Sequence, residues 1–151
     1  IPNIIDPASA AEETISEPSE YEVMRTNAIA KKNRAIQTKL EKVISYTKQT
    51  MVAYMSEEDL NRLCAYIVEY STGDTLQKIS PVKVDSQLKS IDIMHFGWNI
   101  GKAFGRKRIH TATFIKNVFA HTLCDVEIST IERKMSHTES KTKIHLNNQL
   151  V

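Results

Sequence analysis

TATFIKNVFAHTLCDVEISTIERKMSHTESKTKIHLNN, residues 111–148, is the stretch whose reading decides the fold. Phe114, Ile115, Val118, Phe119 and Leu123 recur at helical spacing behind Thr111, which reads as the cap of that helix. After a turn of four to six residues that includes CDVEI, a shorter helix is expected from Ser129 or Thr130 to about Met135. Its Ile131 and Met135 point inward, and Glu132, Arg133 and Lys134 point outward. KTKIHLNN then alternates Lys141, Lys143 and His145 with Thr142, Ile144 and Leu146, the period of a strand with one polar face. Two helices joined by a short turn, the second polar on its outer side, have the form of a helix-turn-helix. In that motif the second helix lies in the major groove and the first crosses the backbone. Arg133 and Lys134 are then placed to meet guanine edges or phosphates, and Lys141 and Lys143 form a small β wing beside the duplex. The plainer alternative is a helical bundle capped by a strand, with these side chains simply solvated.

Upstream, GRKRIH (105–110) sets Arg106, Lys107 and Arg108 in a connector able to follow a phosphate backbone without reading sequence. The helix before it is expected from Ser86 or Asp92 to Phe104 and contains Ile91, Met94, His95, Trp98 and Ile100. Gly97, Gly101 and Gly105, spaced by four, favour close packing of a second backbone and fit neither phosphate-binding glycine motif. Trp98, Phe96 and Phe104 read as core. Residues 72–86 mix turn formers with short apolar alternation, giving a loop with a short strand. Further back, Ser56 with Glu57, Glu58 and Asp59 reads as an N-cap and an acidic first turn, opening a helix to about Ser71 that Gly73 stops. From about Glu22 to Tyr54 neither Gly nor Pro occurs, and Ile36, Leu40, Val43, Ile44, Met51 and Met55 form one apolar stripe of a long helix. This pair predicts an antiparallel helical hairpin. The first twenty or so residues, with Pro2, Pro7 and Pro18 among small and acidic side chains, read as a tail.

Composition is that of one ordinary globular domain: 151 residues, 41% hydrophobic and 25% charged, which excludes collagen, fibrous coiled coil and full disorder. Neither a membrane-spanning run nor a basic-then-apolar leader occurs, so no membrane partner is expected. Cys64 and Cys124, without CxxC spacing, read as two buried, reduced thiols of a cytoplasmic protein. The net charge of +2 is unevenly spread. Residues 1–24 hold six acids and no base, while residues 99–151 hold nine bases against four acids, a balance of +5. That asymmetry points to an anionic partner for the C-terminal end. His95, His110, His121, His137 and His145 show no zinc spacing, and neither a nucleophile elbow nor paired carboxylates appear. No catalytic residue, metal or cofactor is therefore assigned, and His121 with Cys124 is the one enzymatic arrangement weighed.

Over about one third of the chain, from Gly97 to Asn147, the order of features resembles the C-terminal portion of RteC-type regulators of bacterial conjugative elements. The matching positions are an apolar helix ending at Val118 and Phe119, Leu123 and Asp125 soon after, the pair Arg133 and Lys134, and a short Ser/Lys/Thr segment. The resemblance implies a winged-helix-like transcription regulator of a mobile element, with Arg133, Lys134, Lys141 and Lys143 facing DNA. KTKIHLNN departs from it, since that family continues there as helix, and the first 85 residues do not align.

The expected architecture is mainly α. It comprises an acidic tail (1–21), a helical hairpin (22–72) and a C-terminal three-helix, helix-turn-helix-like unit with a small β wing (86–148). The expected function is a DNA-binding transcriptional regulator or accessory protein of a bacterial mobile element. It would contact double-stranded DNA through Arg106, Lys107, Arg108, Arg133, Lys134, Lys141 and Lys143 and dimerise through residues 22–55. The alternative is a non-enzymatic protein-protein interaction module built on the long amphipathic helix.

Overall fold

Ser19 opens the first helix by a reciprocal pair of bonds: its Oγ accepts the Glu22 N–H at 3.1 Å while the Glu22 carboxylate accepts the Ser19 N–H. This is a capping box, S-x-x-E, which satisfies two of the donors a helix start leaves without partners. In the computed structural model, which describes residues 16–151 except 74, 75, 77 and 140, five helices follow one another. They are α1 (Glu20–Met51), α2 (Glu57–Ser71), α3 (Ser90–Phe104), α4 (Arg108–Val118) and α5 (Ile128–Lys134). Among the described residues there is no strand. The mainly helical expectation is therefore met. The β wing at 141–148 is not formed, no strand occurs among the described residues of 72–86, and most of the expected tail lies outside the described residues.

The chain divides into two compact units, residues 1–36 and 37–151. In the first, the described part is exposed throughout except Ala30, and Tyr21, Val23, Met24, Ile29 and Ile36 stand in solvent. Ile36, expected in the buried stripe of α1, is 51% exposed.

In the second unit α1 buries Val43, Thr47 and Met51, one face at a spacing of four. Ser56 caps α2 as expected, its Oγ accepting the Asp59 N–H at 3.1 Å, and Leu60, Leu63, Tyr66, Ile67 and Tyr70 turn inward. Arg62 and Tyr66 then bind the chain that leaves α2. The Arg62 guanidinium donates to the carbonyls of Ser80 and Pro81 at 3.0 and 2.9 Å, and the Tyr66 hydroxyl accepts the Ser80 N–H at 2.8 Å. Val82 donates its N–H to the Val118 carbonyl at 2.9 Å, an isolated bond where the alternation of this segment suggested a ladder.

α3 is the central element, with ten buried residues in fifteen. Gly97 and Gly101 let α4 come close: a Cβ on Gly97 would stand 2.7 Å from Ile115 Cδ1, and one on Gly101 would stand 2.8 Å from Thr111 Cγ2. Gly105, third in that spacing, has another task, ending α3 in the left-handed conformation (φ 67°) that glycine adopts without a Cβ clash. Phe96 stacks on Tyr46 at 5.9 Å and meets Phe119 edge-on at 6.0 Å, tying α1 and the end of α4 to the same core.

α4 starts at Arg108 with Lys107 as its N-cap, three residues before the expected cap, and Thr111 lies buried within its first turn. Its hydroxyl lies 2.6 Å from the Tyr70 hydroxyl. The linker from α4 to α5 spans residues 119–127, longer than the expected four to six. Lys116 holds it shut, its ammonium donating to the carbonyls of Leu123 and Val126, each at 2.7 Å, and of Cys124 at 3.3 Å. α5 begins at Ile128, so Ser129 and Thr130 lie inside its first turn and do not cap it, while Ile131 and Met135 are buried as expected.

The last segment, where a strand was expected, is an irregular strap pinned to one face of α3. Asp92, 2% exposed, accepts the N–H groups of Lys143 and Ile144 at 2.6 and 3.1 Å, besides that of Lys89 at 2.9 Å. His95 sets Nδ1 2.8 Å from the Ile144 carbonyl oxygen and Nε2 2.6 Å from that of His137. Asn99 donates to the His145 carbonyl at 2.8 Å and to the Tyr46 hydroxyl at 2.7 Å, and accepts the Asn147 N–H at 2.7 Å. The alternation itself persists, with Ile144 buried, Thr142 and Leu146 half-buried and Lys141, Lys143 and His145 exposed, but the segment forms no strand. The backbone groups that a ladder would pair go instead to side chains of α3, as buried backbone polar groups require a partner of some kind.

Candidate nucleic-acid interface

Three basic segments of the second unit were expected to share one surface. The first two meet. Arg108, the first residue of α4, donates Nε to the Glu132 carbonyl at 3.1 Å, Nη1 to Ser136 Oγ at 3.0 Å and Nη2 to the Arg133 carbonyl at 3.4 Å. A guanidinium at this point satisfies carbonyls left without partners by the last turn of α5 and offsets the negative end of its dipole. The side chain expected to meet phosphate is thus committed in part to holding α5, yet remains exposed. Lys107, the N-cap residue of α4, and Arg133 are exposed beside it.

Arg106 departs from the connector. It is half-buried, with its guanidinium carbon 5.1 Å from the centre of the Tyr70 ring, so it belongs to a cleft between α2 and α4. Burial pushes the Tyr70 hydroxyl above the usual tyrosine range, opposed by the Thr111 hydrogen bond and by the nearby Arg106 charge. Lys134 is exposed but lines a hollow with Ser90, Ile91 and Met94 of α3 that also holds the carboxyl-bearing Asp125, Glu127 and Glu139. Those acids weaken its attraction for a phosphate.

Lys141 and Lys143 are exposed on the strap. The strap is fixed to Asp92 in the first turn of α3, whereas the connector follows its last turn. At 1.5 Å per residue the fourteen residues from Asp92 to Arg106 span about 21 Å. The third basic segment therefore lies at the opposite end of α3 from the connector.

The anchoring residues Asp92, His95, Asn99 and Lys116 were not assigned a role from the sequence. A signal existed for three of them: polar residues at i, i+3 and i+7 share a face of SIDIMHFGWNIGKAF, whose mean character is apolar. Nothing local marks Lys116, whose acceptors lie seven to ten residues downstream. Cys64 is half-buried, with burial raising its thiol, and Cys124 is exposed, not buried as expected; both are free. No cluster of His, Cys, Asp and Glu suited to a metal occurs among the described residues, and none of their helices is long and apolar enough to cross a membrane. Comparison with protein-family models, with curated proteins and with solved structures finds no match for this chain.

Proposed function

We propose that the chain binds double-stranded DNA as a regulator or accessory protein, in the manner of transcription regulators of bacterial mobile elements that its C-terminal third resembles. What supports this reading is one contact, the Arg108 guanidinium on the carbonyls at the end of α5, which joins the connector and α5 into a single basic patch of Lys107, Arg108 and Arg133. α4 and α5 then act as a helix-turn-helix with a long turn, α5 toward the major groove and the connector along the phosphates. Lys134 and the strap lysines are secondary contacts.

Fluorescence anisotropy of a labelled random duplex at about 50 and 200 mM salt tests it, because neutralising phosphates releases counterions and makes affinity salt-dependent. Affinity should fall at least about tenfold over that range, and a Lys107→Ala, Arg133→Ala variant should lose most of it. Absence of binding at the lower salt would sink the reading.

A second reading has its own observation. Tyr21, Met24, Ile29 and Ile36 leave apolar surface on the first unit in solvent. A protein-interaction module built on the long amphipathic helix would use that surface, and its association would be insensitive to salt.

A further inference from the structure

Beside the basic connector, α2 and α4 enclose a cleft of about 220 Å³. Its floor is aromatic: Tyr70 stacks on Phe114 with ring centres 4.3 Å apart, and Phe104 meets Tyr70 edge-on at 6.0 Å. Leu76 and Ile79 supply an apolar wall. The opposite wall is the face of α4 carrying His110, Thr113 and Asn117, at i, i+3 and i+7, all three exposed into the cleft. At the mouth stands the Arg106 guanidinium, braced on the Tyr70 ring and against Gly73. At Gly73 the backbone is left-handed (φ 88°), the conformation that favours glycine, and a Cβ there would stand 3.0 Å from Arg106 Nη1, so the guanidinium lies against this turn.

This lining is an apolar body with a rim of donors. Arg106 presents a permanent positive charge and a planar fork of N–H groups, Asn117 an amide NH2 and Thr113 a hydroxyl. Among the described lining residues there is no carboxylate. Concave sites that hold small molecules combine an apolar lining with a few convergent polar groups. The volume lies below the roughly 300–1,000 Å³ of sites for drug-sized ligands, which restricts the occupant to about one ring. We propose that this cleft is a ligand site for a small ring-bearing anion, such as a single-ring aromatic carboxylate. Its ring lies against Phe114, Leu76 and Ile79, and its charged group is held by Arg106 with His110 and Asn117. The site does not depend on the DNA-binding reading.

The test is a titration of the 15N-labelled protein with benzoate, benzamide and inorganic phosphate, following backbone amide shifts. Benzoate should move the signals of residues 110, 113 and 117 to saturation. Benzamide, which keeps the ring and loses the charge, and phosphate, which keeps a charge and loses the ring, should each bind at least about tenfold more weakly. His110→Ala and Asn117→Ala, at exposed positions, should each weaken benzoate severalfold with Tm unchanged. No saturable shift, equal binding of benzoate and either control, or unchanged binding in both variants would overturn the site.

Discussion

The carboxylate of Asp92 accepts the backbone N–H of Ile144 at 3.1 Å across 52 residues of chain, and this bond, with that to Lys143, decides how the C-terminal segment is held. An ionised carboxylate accepting several backbone N–H groups is a charge-assisted anchor, stronger than a neutral hydrogen bond. His95 and Asn99 extend the same anchorage along α3.

Removing that anchor should therefore be costly. Asp92→Ala leaves the N–H groups of Lys143, Ile144 and Lys89 without their acceptor, two of them from a segment with no ladder to replace it. Chemical denaturation should show a loss of about 3 kcal/mol, in the range for charged hydrogen bonds and desolvated donors. Amide exchange should speed up at residues 143–147 first. A loss below about 1 kcal/mol would mean that His95, Asn99 and the buried Ile144 side chain hold the strap without Asp92.

Gly101→Ala should destabilise through contact with the Thr111 side chain, which cannot swing away without giving up its 2.6 Å bond to Tyr70. Overpacking of this kind costs about 1–3 kcal/mol. Gly97→Ala meets the Cδ1 and Cγ2 methyls of Ile115, a fully buried and β-branched side chain, so it should also destabilise by overpacking in parallel denaturation curves.

Arg108 and Arg133 should separate stability from DNA affinity. Arg133→Ala removes an exposed charge and should leave Tm within a degree or so while weakening DNA binding. Arg108→Ala should lower both, since it also strips the carbonyls of Glu132 and Arg133 of a donor, at about 1–2 kcal/mol. Equal melting temperatures for the two variants would contradict the bracing role.

The two thiols should react at different rates with a disulfide reagent at neutral pH. Cys124 is exposed, whereas Cys64 is half-buried and its thiol is pushed upward by burial, with the opposing charge of Lys48 the lesser influence. Less thiolate and less access both slow attack, so Cys124 should be modified in an early phase and Cys64 in a late one.

Stability should decline in alkali for an identifiable reason. Burial raises the hydroxyls of Tyr46 and Tyr70, against partial lowering by Asn99 and Thr111 respectively. A raised folded-state value means that the folded protein holds these protons longer than the unfolded chain. Their contribution is present in full below the ordinary value of about 10 and is lost as pH rises through the raised values. Tyrosinate absorbance should show two hydroxyls ionising late, together with unfolding, and Tyr46→Phe should remove part of that alkaline slope in denaturation midpoints.

The sequence by itself determined the helices, because each is encoded within a turn or two of its own residues. Apolar positions at 60, 63 and 67 with Ser56 before them specify α2, and the absence of Gly and Pro specifies the length of α1; Ser19 and Glu22 spell its start as clearly, though the tail reading passed over them. What only the tertiary structure decided is where polar groups at a distance find partners. Period-two alternation in 141–146 describes a chain with one buried side, and such a chain becomes a strand only if a neighbouring strand supplies hydrogen bonds. Here Asp92, His95 and Asn99 supply them, so the same pattern becomes a strap. Likewise Arg106, Lys107 and Arg108 are adjacent in sequence but sent apart. One lies on an aromatic ring, one in solvent and one on the carbonyls of α5, because a long flexible side chain takes its environment from whichever elements pack beside it.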